Sequence, residues 1–142
     1  MTPLTAFDAD VLIYAATAGH PLGVAVASLF AGEAEGHVGI GSVLLLPEVL
    51  TKPFREDPDS AEVRALAGLL GRLDLRPLDE ATARLAVALA VKYGLRAADA
   101  AHLATAVASG ADRFLTNNRR DFPSSIEEID VVYPQDLADD SA

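Results

Sequence analysis

Short apolar segments alternate with longer, helix-like segments along almost the whole chain. Apolar segments typical of buried strands lie at residues 4–7, 38–40, 75–78, 113–116 and 129–133. Helical spacing occupies residues 23–34, 60–73, 79–94 and 97–109, together with a segment that starts near residue 42. This alternation predicts an α/β fold with three layers, in which a central parallel sheet of about four to five short strands is flanked by helices.

Capping and breaking residues give the expected boundaries of several elements. Ser42, Ser60 and Asp79 are plausible N-caps, and Gly94 suits the end of a helix. Pro47 is expected to kink the helix after Ser42 or to move its start later. Residues 52–60 contain two prolines and mixed charge, which indicates a loop.

The length and composition fit one compact domain. The chain has 142 residues, of which 51% are hydrophobic and 23% are charged, so we expect a packed core. We assign residues 1–135 to a single domain and residues 136–142 to an acidic, frayed C-terminal tail.

Several kinds of site and location are disfavoured. The chain has no cysteine, which excludes disulfides, thiolate metal sites and cysteine nucleophiles. We find no signal-peptide pattern and no apolar stretch of about 20 residues, so we expect a cytoplasmic protein with no membrane association. The net charge of −10 argues against a protein that coats nucleic acid, but it is compatible with a carboxylate cluster that cations neutralise.

Acidic and amide side chains lie near the ends of the predicted strands and at nearby helix starts. In open α/β sheets, ligands bind beyond the carboxyl ends of the strands. If the strands are parallel, one edge of the sheet could bring together six such residues: Asp8, Asp10, Glu48, Asp99, Asn118 and Asp121. Such a group suits Mg²⁺ or Mn²⁺, which bind carboxylate oxygens and can activate water for attack on a phosphodiester.

Each of these residues also has a structural explanation. Asp10 could serve as a turn or cap residue, Glu48 could face solvent, and Asp99 could simply stabilise the start of its helix. Asn118 and Asp121 could shape a turn. His102 shares a helix face with Asp99, but a structural or surface role is the commoner one, so we do not include it among the catalytic residues.

Four motifs together resemble the PIN-domain family, and most closely its VapC-type toxins. They are FDADVLIY at 7–14, LPEVL at 46–50, ADAAHLATA at 98–106 and LTNNRRDF at 115–122. Each motif is weak alone, but they occur in the order typical of the family and span nearly the whole chain.

The resemblance implies a Mg²⁺- or Mn²⁺-dependent ribonuclease with catalytic, metal-binding carboxylates at Asp8, Glu48 and Asp99. Many relatives carry Asp where this chain has Asn118, which could offer a neutral oxygen to a metal but contributes no charge. Either Asp121 supplies the fourth catalytic carboxylate or a second metal is bound weakly, so Asn118 and Asp121 are both candidate metal ligands. Thr116 would orient the ligands, with Asp10 in support. The resemblance also implies a cognate antitoxin that blocks the acidic cleft, a homodimer, and a structured RNA substrate such as tRNA or rRNA.

An RNA substrate requires local positive charge. The basic residues that flank the acidic positions are Lys52, Arg55, Lys92, Arg96, Arg119 and Arg120. We select Arg96 and Arg119 as candidate phosphate contacts, although each could be an ordinary solvated residue.

Two other functions remain open from the sequence. A haloacid dehalogenase-type phosphatase would use Asp8 as a nucleophile and Asp10 as an acid/base, but neither Lys52 nor Lys92 is well placed for that chemistry. A PIN-like scaffold with a weakened metal site would act only as a binding module, and Asn118 keeps this alternative open.

Overall fold

The computed structural model describes residues 2–31 and 36–140 and confirms the predicted α/β architecture. The strands are β1 (Thr5–Phe7), β2 (Gly39–Ser42), β3 (Leu73–Arg76), β4 (Arg113–Leu115) and β5 (Asp130–Val132). The helices are α1 (Ala9–Ala16), α2 (Pro21–Ser28), α3 (Leu45–Glu56), α4 (Ala61–Leu70), α5 (Glu80–Tyr93), α6 (Ala97–Ala108) and α7 (Pro134–Asp140).

The described strands form one parallel sheet in the order β3-β2-β1-β4-β5. The chain adds strands on one side of β1 and then crosses to the other side, so the order reverses between β1 and β4. In open parallel sheets this switch point opens a crevice beyond the carboxyl ends of the two strands. The topology therefore places the residues after Phe7 and Leu115 at the most favourable position for a ligand.

Successive strand residues face opposite layers, as the period of a β-strand requires. Ala6 and Phe114 pack in a core beneath α5 and α6, whereas Phe7 and Leu115 pack in a second core beneath the other helices. All four residues are buried. Apolar burial on both faces of the sheet therefore holds the three layers together.

Two glycines are required by the backbone geometry. Gly94 ends α5 with a φ of 66°, the left-handed conformation that glycine adopts most readily. Gly23 lies against α1, where an added Cβ would come within 2.0 Å of the carbonyl oxygen of Tyr14. Gly23 thus allows α1 and α2 to pack closely.

Several predicted boundaries are confirmed and others need correction. Ser60 and Asp79 cap α4 and α5 through hydrogen bonds to backbone amides. Ser42 does not cap α3, which begins at Leu45, and its hydroxyl accepts a hydrogen bond from the amide of Leu44 instead. Pro47 lies in the first turn of α3, where the missing N–H is not needed.

The expected loop at 52–60 and the expected frayed tail are both shorter than predicted. Helix α3 continues through the buried Pro53 to Glu56. Residues 134–140 form α7, which contacts α2, and Leu137 is buried in the second core. The helix expected at 23–34 ends at Ser28, and residues 32–35 lie outside the described residues.

No single helix in residues 2–31 and 36–140 is long and apolar enough to cross a membrane. Helices α1 and α2 together meet the criteria of length and composition, but they are bent by 100° relative to each other.

Candidate functional site

Asp8 lies at the switch point of the sheet, directly after β1. Its backbone amide donates a hydrogen bond to the carbonyl oxygen of Leu115 (3.0 Å), so the residue is tied to the end of β4. Its Oδ1 accepts a hydrogen bond from the amide of Ala9 (2.9 Å) and caps α1. An acidic side chain at this helix N-terminus is also favoured by the helix dipole.

Thr116 fixes the other oxygen of Asp8. The Thr116 hydroxyl, which is fully buried, donates a 2.7 Å hydrogen bond to Oδ2 of Asp8 and accepts one from the amide of Asn118 (3.1 Å). Burial raises the pKa of Asp8, although the hydrogen bond from Thr116 and the charge of His102 act in the opposite direction. Thr116 thus contacts Asp8 directly, and its predicted role in orienting a metal ligand stays a prediction.

Asp10 connects the first turn of α1 to the segment after β4. Its Oδ2 accepts a hydrogen bond from the amide of Asn117 (3.0 Å). Its Oδ1 is buried and has no partner among the described residues. Burial, followed by the charge of Asp8, raises the pKa of Asp10 to about 7. An unpartnered carboxylate oxygen beside a second carboxylate is the environment that a cation would stabilise.

Asp99 reaches the same region from the first turn of α6. Burial raises the pKa of Asp99, and the negative charges of Asp8, Asp121 and Glu48 raise it further. Asp99 on α6 therefore lies within electrostatic range of Asp8 at the N-terminus of α1, of Glu48 on α3 and of Asp121 after β4. The fold brings together acidic residues that are as far as 113 positions apart in the sequence.

Glu48 is held at the site by a histidine. The Nε2 of His102 donates a 2.7 Å hydrogen bond to Oε2 of Glu48, which connects α6 to α3. Burial lowers the pKa of His102, but the hydrogen bond with Glu48 and the negative charges of Asp8, Glu48 and Asp99 outweigh that effect and raise it. His102 therefore belongs to the site, although we excluded it from catalysis at the sequence level.

Asn118 and Asp121 bind each other. The Nδ2 of Asn118 donates to Oδ2 of Asp121 (2.8 Å), and Oδ1 of Asn118 accepts from the Asp121 amide (3.2 Å). Both polar atoms of the Asn118 side chain are therefore engaged in holding Asp121. These bonds confirm that the two residues shape the turn after β4, while their role in binding a metal stays a prediction.

The two candidate phosphate contacts differ in their surroundings. Arg119 is exposed and its guanidinium stacks over the ring of Tyr133, at 4.1 Å from the ring centroid. Arg96 is the N-cap residue of α6, three positions before Asp99, and is exposed without a side-chain capping hydrogen bond. Both arginines thus flank the segments that carry acidic residues.

The donor set suits a hard divalent cation such as Mg²⁺ or Mn²⁺. Its oxygens come from carboxylates, which such cations prefer. Neighbouring negative charges raise the pKa values of Asp10 and Asp99, and a cation would relieve that repulsion. In the part of the chain that the structure describes, no three Asp, Glu or His side chains form a ready-made metal-binding group. The oxygen donors and the negative charge of the site therefore suit such a cation, although the described residues form no preformed coordination shell.

Two contributors to the site are not among the residues predicted from the sequence. His102 gives a partial signal, because it lies one helical turn after Asp99 and so shares a face with it. Asn117 contributes only its backbone amide, which no side-chain pattern reveals.

Comparison with known families identifies the protein family that carries this site. The PIN domain family model matches residues 6–125, which is most of the chain. The chain belongs to the PIN domain family. This membership favours the sequence interpretation based on the four motifs over the phosphatase alternative.

The fold of this PIN domain is shared with solved toxin–antitoxin structures. A chain of a toxin–antitoxin complex from Klebsiella pneumoniae is 25% identical, with a TM-score of 0.70, and the match covers 92% of this chain and 97% of that one. A chain of VapBC2 from Rickettsia felis, bound to a promoter DNA fragment, is 16% identical with the same TM-score, and the match covers 92% and 98%. No curated protein compared with this PIN domain matches it.

Proposed function

We propose that this PIN-domain protein is a divalent-metal-dependent endoribonuclease and the toxin of a toxin–antitoxin pair. The observation that carries the proposal is the placement of acidic side chains at the sheet's switch point, where Thr116 holds Asp8 through a 2.7 Å hydrogen bond and His102 holds Glu48 through another. Asp99 lies near enough for the charge of Asp8 to raise its pKa. Carboxylates grouped in this way at a sheet switch point are suited to hold a cation beside a phosphodiester.

Four carboxylates would hold Mg²⁺ or Mn²⁺: Asp8, Glu48, Asp99 and Asp121. A cation bound there would supply Lewis-acid stabilisation of the phosphodiester and lower the pKa of a nearby water. Asn118 supports the site by holding Asp121, since both polar atoms of the Asn118 side chain are already hydrogen-bonded to that residue.

The chain's own residues keep the acidic groups in place. Thr116 and the Ala9 amide occupy both oxygens of Asp8, which fixes the orientation of the carboxylate. Asp10 binds the Asn117 amide and so anchors the segment that carries Asp121 beside β1. This preorganisation reduces the reorganisation needed when substrate binds.

The net charge of −10 disfavours phosphate binding by the protein surface as a whole. Basic residues close to the site would therefore hold the RNA. We assign phosphate contacts to Arg96 and Arg119. Stacking on Tyr133 limits the motion of Arg119 and presents its guanidinium next to the acidic segment. A structured RNA such as tRNA or rRNA is the proposed substrate, and the proposed location is the cytoplasm.

The proposed partners are a cognate antitoxin and a second copy of this chain. The antitoxin is supported by the two toxin–antitoxin complexes whose chains share this fold across nearly their whole length. An antitoxin would block the acidic cleft, and the homodimer can be tested by light scattering of the purified protein.

A non-catalytic PIN scaffold is the second candidate function. It is favoured by Asn118, an uncharged residue where many relatives carry Asp, and by the lack of a ready-made metal-binding group among the described residues. A scaffold would bind its antitoxin but would neither bind Mn²⁺ nor cleave RNA.

A cleavage assay on a mixed pool of structured RNA tests the proposal. Antitoxin-free protein is incubated with Mg²⁺, with Mn²⁺ or with chelator, alongside the Asp8→Asn variant. We expect cleavage with either cation, none with chelator, and none by Asp8→Asn despite an unchanged circular dichroism spectrum. Unchanged cleavage by Asp8→Asn would refute the site assignment, and metal-independent cleavage would refute the chemistry.

A further inference from the structure

A buried histidine from one helix binds an acidic side chain from another. His102 is 2% exposed, and its Nε2 lies 2.7 Å from Oε2 of Glu48. The Glu48 side chain is 36% exposed, so the hydrogen bond extends from the protein interior to the rim of the site. An ionised carboxylate has only acceptor atoms, which makes the ring nitrogen the donor.

The hydrogen bond to Glu48 is the only one that the His102 ring makes in the described residues. The other ring nitrogen, Nδ1, is buried and has no hydrogen-bond partner in residues 2–31 and 36–140. A histidine that served only a structural network would be expected to use both nitrogens, because an unpartnered buried polar atom is unfavourable. Among the described residues, Glu48 is thus the hydrogen-bond partner of the His102 ring.

The two helices involved pack mainly against other elements. Helix α3 contacts α1 and α4, whereas α6 contacts α5 and the sheet. The hydrogen bond between His102 and Glu48 therefore joins two parts of the molecule that border the site from different sides. A glutamate side chain has several rotatable bonds, and without this donor it would sample many orientations.

We infer that His102 is a positioning residue that holds the Glu48 carboxylate at the acidic site and so strengthens divalent-cation binding. The inference rests on the proposed function. It assigns to His102 a role like that of other residues that orient metal ligands, whose loss commonly weakens metal affinity by about 10- to 100-fold.

Calorimetric titration with Mn²⁺ tests this role on the full-length protein. His102→Leu keeps an apolar side chain in the core but removes the donor, whereas His102→Gln keeps an N–H group that can reach Glu48. Thr105→Val is the matched control, because Thr105 is a buried polar residue of α6 whose hydroxyl donates to the Ala101 carbonyl of its own helix. We expect His102→Leu to weaken Mn²⁺ binding about 10-fold or more, His102→Gln to recover most of it, and Thr105→Val to bind like wild type.

A double-variant comparison separates positioning from core packing. If His102 acts through Glu48, the loss caused by His102→Leu should largely disappear in a Glu48→Gln background, because the carboxylate to be oriented is gone. Full additivity of the two losses would show that His102 acts independently of Glu48 and would overturn the inference.

Three further outcomes of the Mn²⁺ titrations would each overturn the inference. Equal Mn²⁺ affinity for wild type and His102→Leu would overturn the positioning role while leaving the proposed function intact. Equal losses in His102→Leu, His102→Gln and Thr105→Val would overturn it by showing a general effect of altered α6 packing. Absence of Mn²⁺ binding by wild type would overturn the proposed function and the inference together.

Discussion

The hydroxyl of Thr116 donates a 2.7 Å hydrogen bond to Oδ2 of Asp8, and this contact joins the carboxyl ends of the two strands on either side of the sheet's switch point. Asp8 is 5% exposed and Thr116 is fully buried, so water does not compete effectively for the bond. The contact fixes the direction in which Asp8 presents its charge to the other carboxylates.

Replacement of Thr116 by valine should weaken both stability and metal binding. The substitution conserves shape but leaves a buried carboxylate oxygen without its donor, which typically costs about 1–3 kcal/mol of unfolding free energy. We expect Mn²⁺ affinity to fall by about 10-fold or more, measured by calorimetry, with chemical denaturation for stability. Unchanged values of both quantities would show that the hydrogen bond does not orient Asp8.

Variants of Asn118 and Asp121 should show which of the two side chains binds the metal. Because Asn118 donates to Asp121, Asn118→Asp would place two carboxylates in contact and should lower metal-free stability by about 1–2 kcal/mol. Asp121→Asn should lower Mn²⁺ affinity by about 10-fold or more, since it removes a ligand charge. If Asp121→Asn binds Mn²⁺ with wild-type affinity and Asn118→Asp binds it more tightly, the metal ligand is the side chain at position 118 instead.

The pattern of short apolar strands was sufficient to predict the fold, because parallel strands buried on both faces leave a continuous apolar signature. Helix α1 was harder to predict, since Ala9–Ala16 has few polar residues with which to show helical periodicity. Helix α7 was missed because its acidic composition resembles a solvated tail, while the buried side chain of Leu137 packs in the second core.

The site could be predicted only in part. Asp8, Glu48 and Asp99 were identifiable because they match family motifs, but their proximity depends on the sheet order, which no local pattern specifies. The roles of His102 and Asn117 depend on tertiary hydrogen bonds to Glu48 and Asp10, so they became visible only in three dimensions.

The metal-free protein should lose stability as the pH rises from about 4 to about 7. The pKa of Asp10 is about 7 in the folded state against an ordinary value of 3.8, so within this window the folded state binds more protons than the unfolded state. Its stabilising contribution is present below pH 3.8 and is lost as the pH rises through 7. The raised pKa values of Asp8 and Asp99 act in the same direction, and that of His102 adds to the loss only above its ordinary value of 6.5.

Urea denaturation in the presence of chelator, repeated across this pH range, measures the effect. Asp10→Asn should flatten the pH profile, since an amide does not titrate, and the Asp10 contribution has an upper limit of about 1.4 kcal/mol per pH unit. Asp59→Asn, an exposed aspartate on the segment before α4, is the control and should retain the wild-type profile. Stability that rises with pH in the wild type would contradict the proposed electrostatics of the site.

Arg119→Ala should weaken RNA binding without changing metal affinity. Binding is measured with the Asp8→Asn background, which prevents cleavage, at several salt concentrations. Loss of one phosphate contact should reduce the slope of log affinity against log salt by about 1. Arg84→Ala removes the same charge from an exposed position of α5, which carries none of the site residues, and should leave the slope unchanged. Equal effects of the two variants would indicate nonspecific electrostatics.

The most direct test of the account combines Mn²⁺ calorimetry with RNA cleavage on the same preparations of wild type, Asp99→Asn and Asp59→Asn. We predict that wild type and Asp59→Asn bind Mn²⁺ and cleave structured RNA, while Asp99→Asn folds normally but loses most of both activities. Mn²⁺ binding and cleavage that persist in Asp99→Asn at the wild-type level would contradict the claim that these carboxylates form one catalytic metal site.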